Sequence, residues 1–344
     1  MLGRKLSMLA LVGTLLFVPC SAWSAEKVIR ISTWGSPQHG INTLVWPTWG
    51  KWVEEATEGR VSVKVEYDLG PADSQIDLVT DGIGEVSWVF HGHKPGRFNL
   101  TQLPEIPTLT RDVNSEVASA AYWRVHEQYL SKGGEHRGVV VLATGVHGPG
   151  EIFTKEKVES LADLKNKKIR IGGGIMATLA QGMELTPVSL PPTRTYEALA
   201  QGVLDGALLT LESLKSFRIG EVAPYTLSIP GGLYRGSFTI VMNPDTLAGL
   251  SKQDQQAILA VSGERLSRLF GRMMDQADAE GVAYAESIGN TVTPASPELM
   301  SQLNTLSSGL EQDWLKLAAR KPAVDGEAAL TYYRQQLREL QEAM

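Results

Sequence analysis

Residues 160–209 read SLADLKNKKIRIGGGIMATLAQGMELTPVSLPPTRTYEALAQGVLDGALL, and their punctuation decides the fold class. Ser160 followed by Asp163 has the spacing of a capping box, which starts a short helix over Leu161–Leu164. Lys168–Ile171 is a short β-branched run suited to a strand. Ile175–Met183 has apolar residues at helical spacing, Val188–Leu190 is a second short strand, Thr195–Gln201 a helix stopped by Gly202, and Gly206–Leu209 a third strand. Strand and helix alternate, and alternation of this kind implies an open, mainly parallel sheet with helices packed on it.

The N-terminal half repeats the theme. Lys27–Ser32 and Arg60–Tyr67 alternate polar and apolar residues as half-buried strands do, and Glu85–Phe90 and Gly138–Ala143 read as buried strands. Between them Asn42–Ala56 reads as a helix carrying Trp46, Trp49 and Val53, and Ile76–Val79 as a short one. Ser237–Met242 is a further strand. Beyond Ser251 the pattern turns helical over Lys252–Ile288 and again over Pro297–Met344. A chain of 344 residues exceeds the usual size of one domain. The expected architecture is a two-lobed α/β clamp braced by long helices.

Arg4 and Lys5, an apolar run Leu9–Val18 and small residues after Pro19 make the three parts of a secretory signal peptide. The apolar run is too short to span a bilayer. Cleavage after Ser24 leaves Ala22 at the small-residue position, so residues 1–24 read as the leader of a periplasmic protein. Cys20 is the only cysteine and leaves with it, which removes disulfides, thiol nucleophiles and thiolate metal sites. The leader also takes two positive charges and no acid, moving the net charge from −6 to −8. An acidic chain with no basic run excludes nucleic acid as a partner. No other stretch suits a membrane span, so the expected product is soluble.

Four blocks in order resemble the substrate-binding subunit of TRAP transporters, the tripartite ATP-independent periplasmic transporters, in the DctP family. Gly92–Leu109, GHKPGRFNLTQLPEIPTL, is similar to the family's PGRF…L.E.P.L stretch. Ser160–Arg170 is similar to PEDLKGLKIRV, Tyr196–Gly206 (YEALAQGVLDG) to LYTALQTGVVDG, and Phe238–Ile258 (FTIVMNPDTLAGLSKQDQQAI) to a strand, a helix and LPPEDQKAI. The resemblance implies two lobes that close on a small organic ligand and deliver it to a membrane permease. It implies lobe I over 26–149 plus 240–278, and lobe II over 150–239 plus 279–344.

In most of the family an arginine in the LKIRV block grips the ligand's carboxylate, and Arg170 occupies that position. Two departures stand out. The upstream window that often carries a second arginine reads VHGPGEIFTK at 146–155, with Gly150 or Glu151 at the ligand side according to a one-residue gap. Where many members have asparagine after VDG, this chain has Leu209. Trp34, Trp88, Phe90 and His91 lie at or near strand ends that should face the cleft, and Glu151 and Glu212 fall in the two ligand-side loops. Carboxylates beside aromatic faces suit an ammonium group. A zwitterion or amino alcohol and a monocarboxylate held by Arg170 both remain open.

An enzyme would need a constellation, and none is found. His91 and His93 lack a third ligand at a characteristic spacing, so no metal is expected. Gly172-Gly173-Gly174 lacks the Lys-Ser/Thr of a nucleotide loop, so no cofactor is expected; close packing of the helix accounts for it equally well. His147, in a Gly-Pro-Gly loop, is placed to line the cleft. A closing clamp can also present itself to a signalling partner, and that alternative stays open beside transport.

Overall fold

The computed structural model describes residues 27–344; the leader at 1–24 lies outside the described residues. Among the described residues, eleven strands form two sheets. β1 (Lys27–Thr33), β2 (Val61–Tyr67), β3 (Val86–Phe90), β4 (Val140–Val146) and β10 (Ser237–Met242) make the first, in the order β2-β1-β3-β10-β4. β5 (Gly150–Thr154), β6 (Lys168–Ile171), β7 (Thr186–Ser189), β8 (Gly206–Thr210), β9 (Tyr225–Ser228) and β11 (Thr291–Pro294) make the second, in the order β11-β9-β5-β8-β6-β7. The strands with every residue buried, β3, β5, β8 and β10, lie inside their sheets. They read as near-continuous apolar or small-residue runs because both faces are covered.

Each sheet is parallel except around one strand that arrives from the other lobe. β10 enters the first sheet after β9 has finished in the second, and pairs antiparallel with β3 and β4. β5 enters the second sheet after β4 has finished in the first, and pairs antiparallel with β8 and β9. Residues 147–149 and 229–236 are therefore two crossings. The helix Gly263–Ser287 is the third, packing on the helix Ser115–Gln128 of lobe I and on Ser213–Ser216 of lobe II before β11 joins the second sheet. The α/β clamp with a long bracing helix stands as the sequence implied.

The C-terminal boundary differs from the expectation. Pro297–Ser307 packs on lobe II at Ile175–Gly182, but Gly326–Glu342 packs on Ser115–Gln128 of lobe I. Its buried stripe of Ala329, Leu330, Tyr333 and Leu337 needs an apolar partner, and Arg124 donates to Gln336 Oε1 at 2.6 Å across the contact. The Trp314 indole, on the helix Leu310–Ala318, likewise donates to Leu100 O of lobe I at 2.9 Å. The tail straps back rather than staying with lobe II. Ser237–Thr239 also belongs to the first sheet, through β10, a few residues before the expected border.

The glycine triplet lies where the lobes meet. A Cβ on Gly173, whose φ is +97°, would stand 2.1 Å from Gly92 O of lobe I, and one on Gly174 would stand 2.5 Å from Glu105 Oε2. Glu105 reaches across, its Oε2 accepting the Ile175 N–H at 3.1 Å while Oε1 accepts from the Ser237 hydroxyl at 2.7 Å. A side chain at Gly173 leaves no room for this contact. Gly173→Val is expected to fold yet keep the lobes apart, giving a larger radius of gyration than wild type in solution scattering; equal radii in saturating ligand would refute the steric argument.

Candidate functional site

In each sheet the C-terminal ends of the parallel strands point at the other lobe, which is where open α/β sheets hold ligands. Trp34 follows β1, Trp88 and Phe90 lie in β3 with Phe90 at its end, Arg170 lies near the end of β6, Leu209 and Thr210 end β8, and Glu212 follows it. Together with side chains from the crossings they line one pocket between the two sheets.

Arg170 sets the electrostatics. It is 3% exposed and among the described residues forms no ion pair. Its Nε donates to Leu190 O at 2.8 Å and Nη1 to Leu208 O at 3.0 Å, so neighbouring strands fix the plane of the guanidinium. Burial pulls its pKa down to about 10, and it stays charged at neutral pH. A buried charge without a counter-charge is costly, by several kcal/mol. A planar fork with donors left over accepts a carboxylate through two parallel bonds.

Aromatic rings form the walls. Trp34 and Trp88 stack at 3.9 Å with their planes 2° apart, and the Trp34 indole N–H donates to Trp88 O at 3.1 Å. Trp88 lies 5.6 Å from Phe238 with planes 14° apart, and Phe238 lies 5.0 Å from Phe90. Aromatic faces of this kind suit a further flat ring.

Neutral polar groups complete the Arg170 end. Both ring nitrogens of His93 are buried, and burial, then Arg170, lower its pKa to about 4. His147 is held down to about 3, chiefly by burial. Its Nδ1 lies 2.7 Å from Gly148 O and only 3.3 Å from the competing Gly236 N–H, so the closer contact assigns the proton to Nδ1 and makes Nε2 an acceptor. Tyr234, whose field Arg170 feels, closes this end.

Of the residues singled out from sequence, Arg170, Trp34, Trp88, Phe90, Glu212 and His147 converge on the pocket. Glu151 and His91 do not. Glu151 sits on β5 outside the pocket lining, with Oε2 accepting the Ile229 N–H at 2.7 Å. Gly150, the other position left open by the one-residue gap, lies against the Tyr234 ring, 2.3 Å from where its Cβ would stand. A one-residue shift on a strand moves a side chain to the other face. His91 turns into lobe I, with Nδ1 2.9 Å from Ser237 Oγ and Nε2 3.2 Å from Thr239 Oγ1. Sequence reasoning missed His39, Phe217, Tyr234 and Phe238 as pocket residues. Tyr234 sits among glycines in an aperiodic crossing, and Phe238 looks like any apolar strand residue.

Residues 32–318 match the sequence model of the bacterial extracellular solute-binding proteins, family 7, called DctP. The chain belongs to this family. It is similar, at 34% identity and a TM-score of 0.87, to a TRAP periplasmic solute-binding protein of Bordetella bronchiseptica solved with (R)- and (S)-mandelate, covering 91% of this chain and 99% of that one. A TRAP solute-binding protein of Rhodoferax ferrireducens holding copurified benzoate is 25% identical, with a TM-score of 0.84 over 92% of this chain and 99% of that one. A marine-metagenome TRAP protein specific for aromatic acids, bound to 3-hydroxybenzoate, is 26% identical, with a TM-score of 0.84 over the same shares. The DctP fold is that of TRAP periplasmic solute-binding proteins rather than enzymes. No helix among the described residues is long and apolar enough to cross a membrane.

Burial sets two opposed titrations in this DctP protein. Glu105 is pushed up to about 7, and Glu151 and Asp278 to about 8, with burial the main cause in each. The folded state keeps protons that the unfolded chain releases above its ordinary carboxyl pKa, so stability falls as pH rises toward 8. All six histidines are held below 6.5, again chiefly by burial. The unfolded chain takes up protons there that the folded state refuses, so stability also falls as pH drops through that value. The unfolding midpoint is expected to peak near pH ~6–7 and decline on both sides. A Tm rising steadily from pH 5.5 to 8.5 in scanning fluorimetry would contradict this balance.

Proposed function

We propose that this protein is the periplasmic receptor of a TRAP permease for an aromatic monocarboxylate, exported by cleavage of residues 1–24. The single observation that carries the reading is Arg170: a buried, charged guanidinium with no acidic partner, set beside stacked aromatic rings. A carboxylate supplies the missing charge, and an aromatic ring matches the walls. Relatives bound to mandelate, benzoate and 3-hydroxybenzoate support the same ligand class.

The ammonium-bearing ligand loses its basis. Of the two carboxylates on which it depended, Glu151 is spent on the Ile229 N–H outside the pocket, which leaves Glu212 alone. Any ammonium in the pocket also shares it with the unpaired Arg170 charge.

Delivery follows from closure. Ligand bound to the lobe II arginine and the lobe I aromatics favours the closed form, and a permease that reads that form receives only loaded protein. Calorimetry of the purified mature protein with benzoate and mandelate is expected to give saturable one-site binding. Arg170→Ala is expected to weaken it by about 2–5 kcal/mol, since the ligand's charge is then buried without a partner. Unchanged affinity would remove Arg170 from the site; binding of amines but no carboxylate would overturn the reading.

A further inference from the structure

Away from Arg170 the pocket has a second polar feature, made by one residue from each lobe. His39, 2% exposed, comes from the loop after β1, and Glu212, 6% exposed, from the loop after β8. The His39 ring is 5.1 Å from the Trp88 ring and 5.8 Å from Phe217, whereas the groups whose charge or dipole Arg170 meets are Tyr234, His93 and His147. The wall of Trp88, Phe238 and Phe90 runs between the two ends.

The proton on His39 is assigned by its surroundings. Nδ1 accepts the Ile41 N–H at 3.1 Å, so the neutral ring carries its proton on Nε2. That N–H points toward Glu212 Oε2 but stops 3.7 Å short, beyond hydrogen-bond range. Glu212 is anchored independently: its backbone N–H donates to Asp278 Oδ1 at 2.8 Å, Oε1 accepts from Thr210 Oγ1 at 3.3 Å, and Oε2 from the Ser216 hydroxyl. A donor and an acceptor are thus held a fixed distance apart, each with capacity left over. One oxygen seated on the pocket side of the gap can accept from His39 and donate to Glu212. A hydroxyl does both. An ether or a halogen cannot donate, and a carboxylate would face Glu212 with like charge.

We propose that His39 and Glu212 form a specificity subsite for a ring hydroxyl remote from the carboxylate, so that the preferred ligand is a meta- or para-hydroxylated arenecarboxylate. This rests on the reading of Arg170 as the carboxylate anchor. Because one partner belongs to each lobe, the hydroxyl also bridges the closed form.

The test is calorimetry of the mature protein with benzoate, its 2-, 3- and 4-hydroxy derivatives and 4-methoxybenzoate. The 3- or the 4-hydroxy acid is expected to bind about tenfold tighter than benzoate, while the 2-hydroxy and methoxy acids gain nothing. In His39→Asn, which keeps an acceptor for the Ile41 N–H but lacks Nε2, the ratio of hydroxylated to plain acid is expected to fall below about twofold, and likewise in Glu212→Met. Benzoate binding with no gain from any hydroxyl would overturn this subsite and leave the anchor standing, as would a ratio that survives both substitutions. Failure of every arenecarboxylate to bind wild type would sink the anchor and the subsite together.

Discussion

A guanidinium without a carboxylate, shut away from water, is the arrangement on which the rest of the structure depends. Arg170 is tolerable because two strand-end carbonyls, of Leu190 and Leu208, each take one of its donors. Those carbonyls sit where they do because β7 and β8 flank β6 in register, Arg170 lying opposite Val188 and Ala207. The sheet therefore fixes the direction of the charge as well as its position. Dipoles of this kind soften the cost of burial without cancelling it, and the remaining deficit is what an anion relieves.

Closure of the lobes is the second half of the same arrangement, since lobe I side chains complete the pocket that Arg170 lines. The contacts that permit this are small and specific. Gly173 lets lobe II backbone meet Gly92 O, and Glu105 extends from lobe I to the first N–H of the helix that follows the triplet. A carboxylate at a helix N-terminus is favourable even at modest length, because the first N–H groups lack partners. Glu105 also holds Ser237 on the strand that crosses between lobes, so one side chain ties the hinge to the closing face. The glycine triplet, which invites a phosphate-loop reading from sequence, is explained by this contact.

The fold was legible because strand and helix periods differ and the chain keeps them clean. The capping box at Ser160 and Asp163, the runs at Lys168–Ile171 and Gly206–Thr210, and the buried strand Ser237–Met242 appear where their patterns put them. What the patterns lacked was β5, β9 and β11, strands of four or five residues beside glycine or proline, and with β5 the register that turns Glu151 away from the pocket. Periodicity can say that a residue is on a strand; which face it takes depends on pairing, which is long-range. The site divides along the same line. Arg170 and the strand-end aromatics follow from topology, whereas Tyr234 and His39 reach the pocket from aperiodic segments whose path is fixed by crossings and turns.

The departures from the family pattern then acquire a physical sense. A site for a dicarboxylate needs a second fixed donor charge. Here Tyr234 fills the space at Gly150, Leu209 stands where an asparagine is common, and the histidines on the pocket wall are held neutral by burial. One fixed positive charge faces one expected negative charge. A second carboxylate would have to be stripped of water against aromatic rings, or set beside Glu212, and either costs more than a neutral imidazole returns. The same walls that would take a flat ring thus disfavour a second charge, so the proposed selectivity for a monocarboxylate rests on what the pocket leaves out as much as on Arg170.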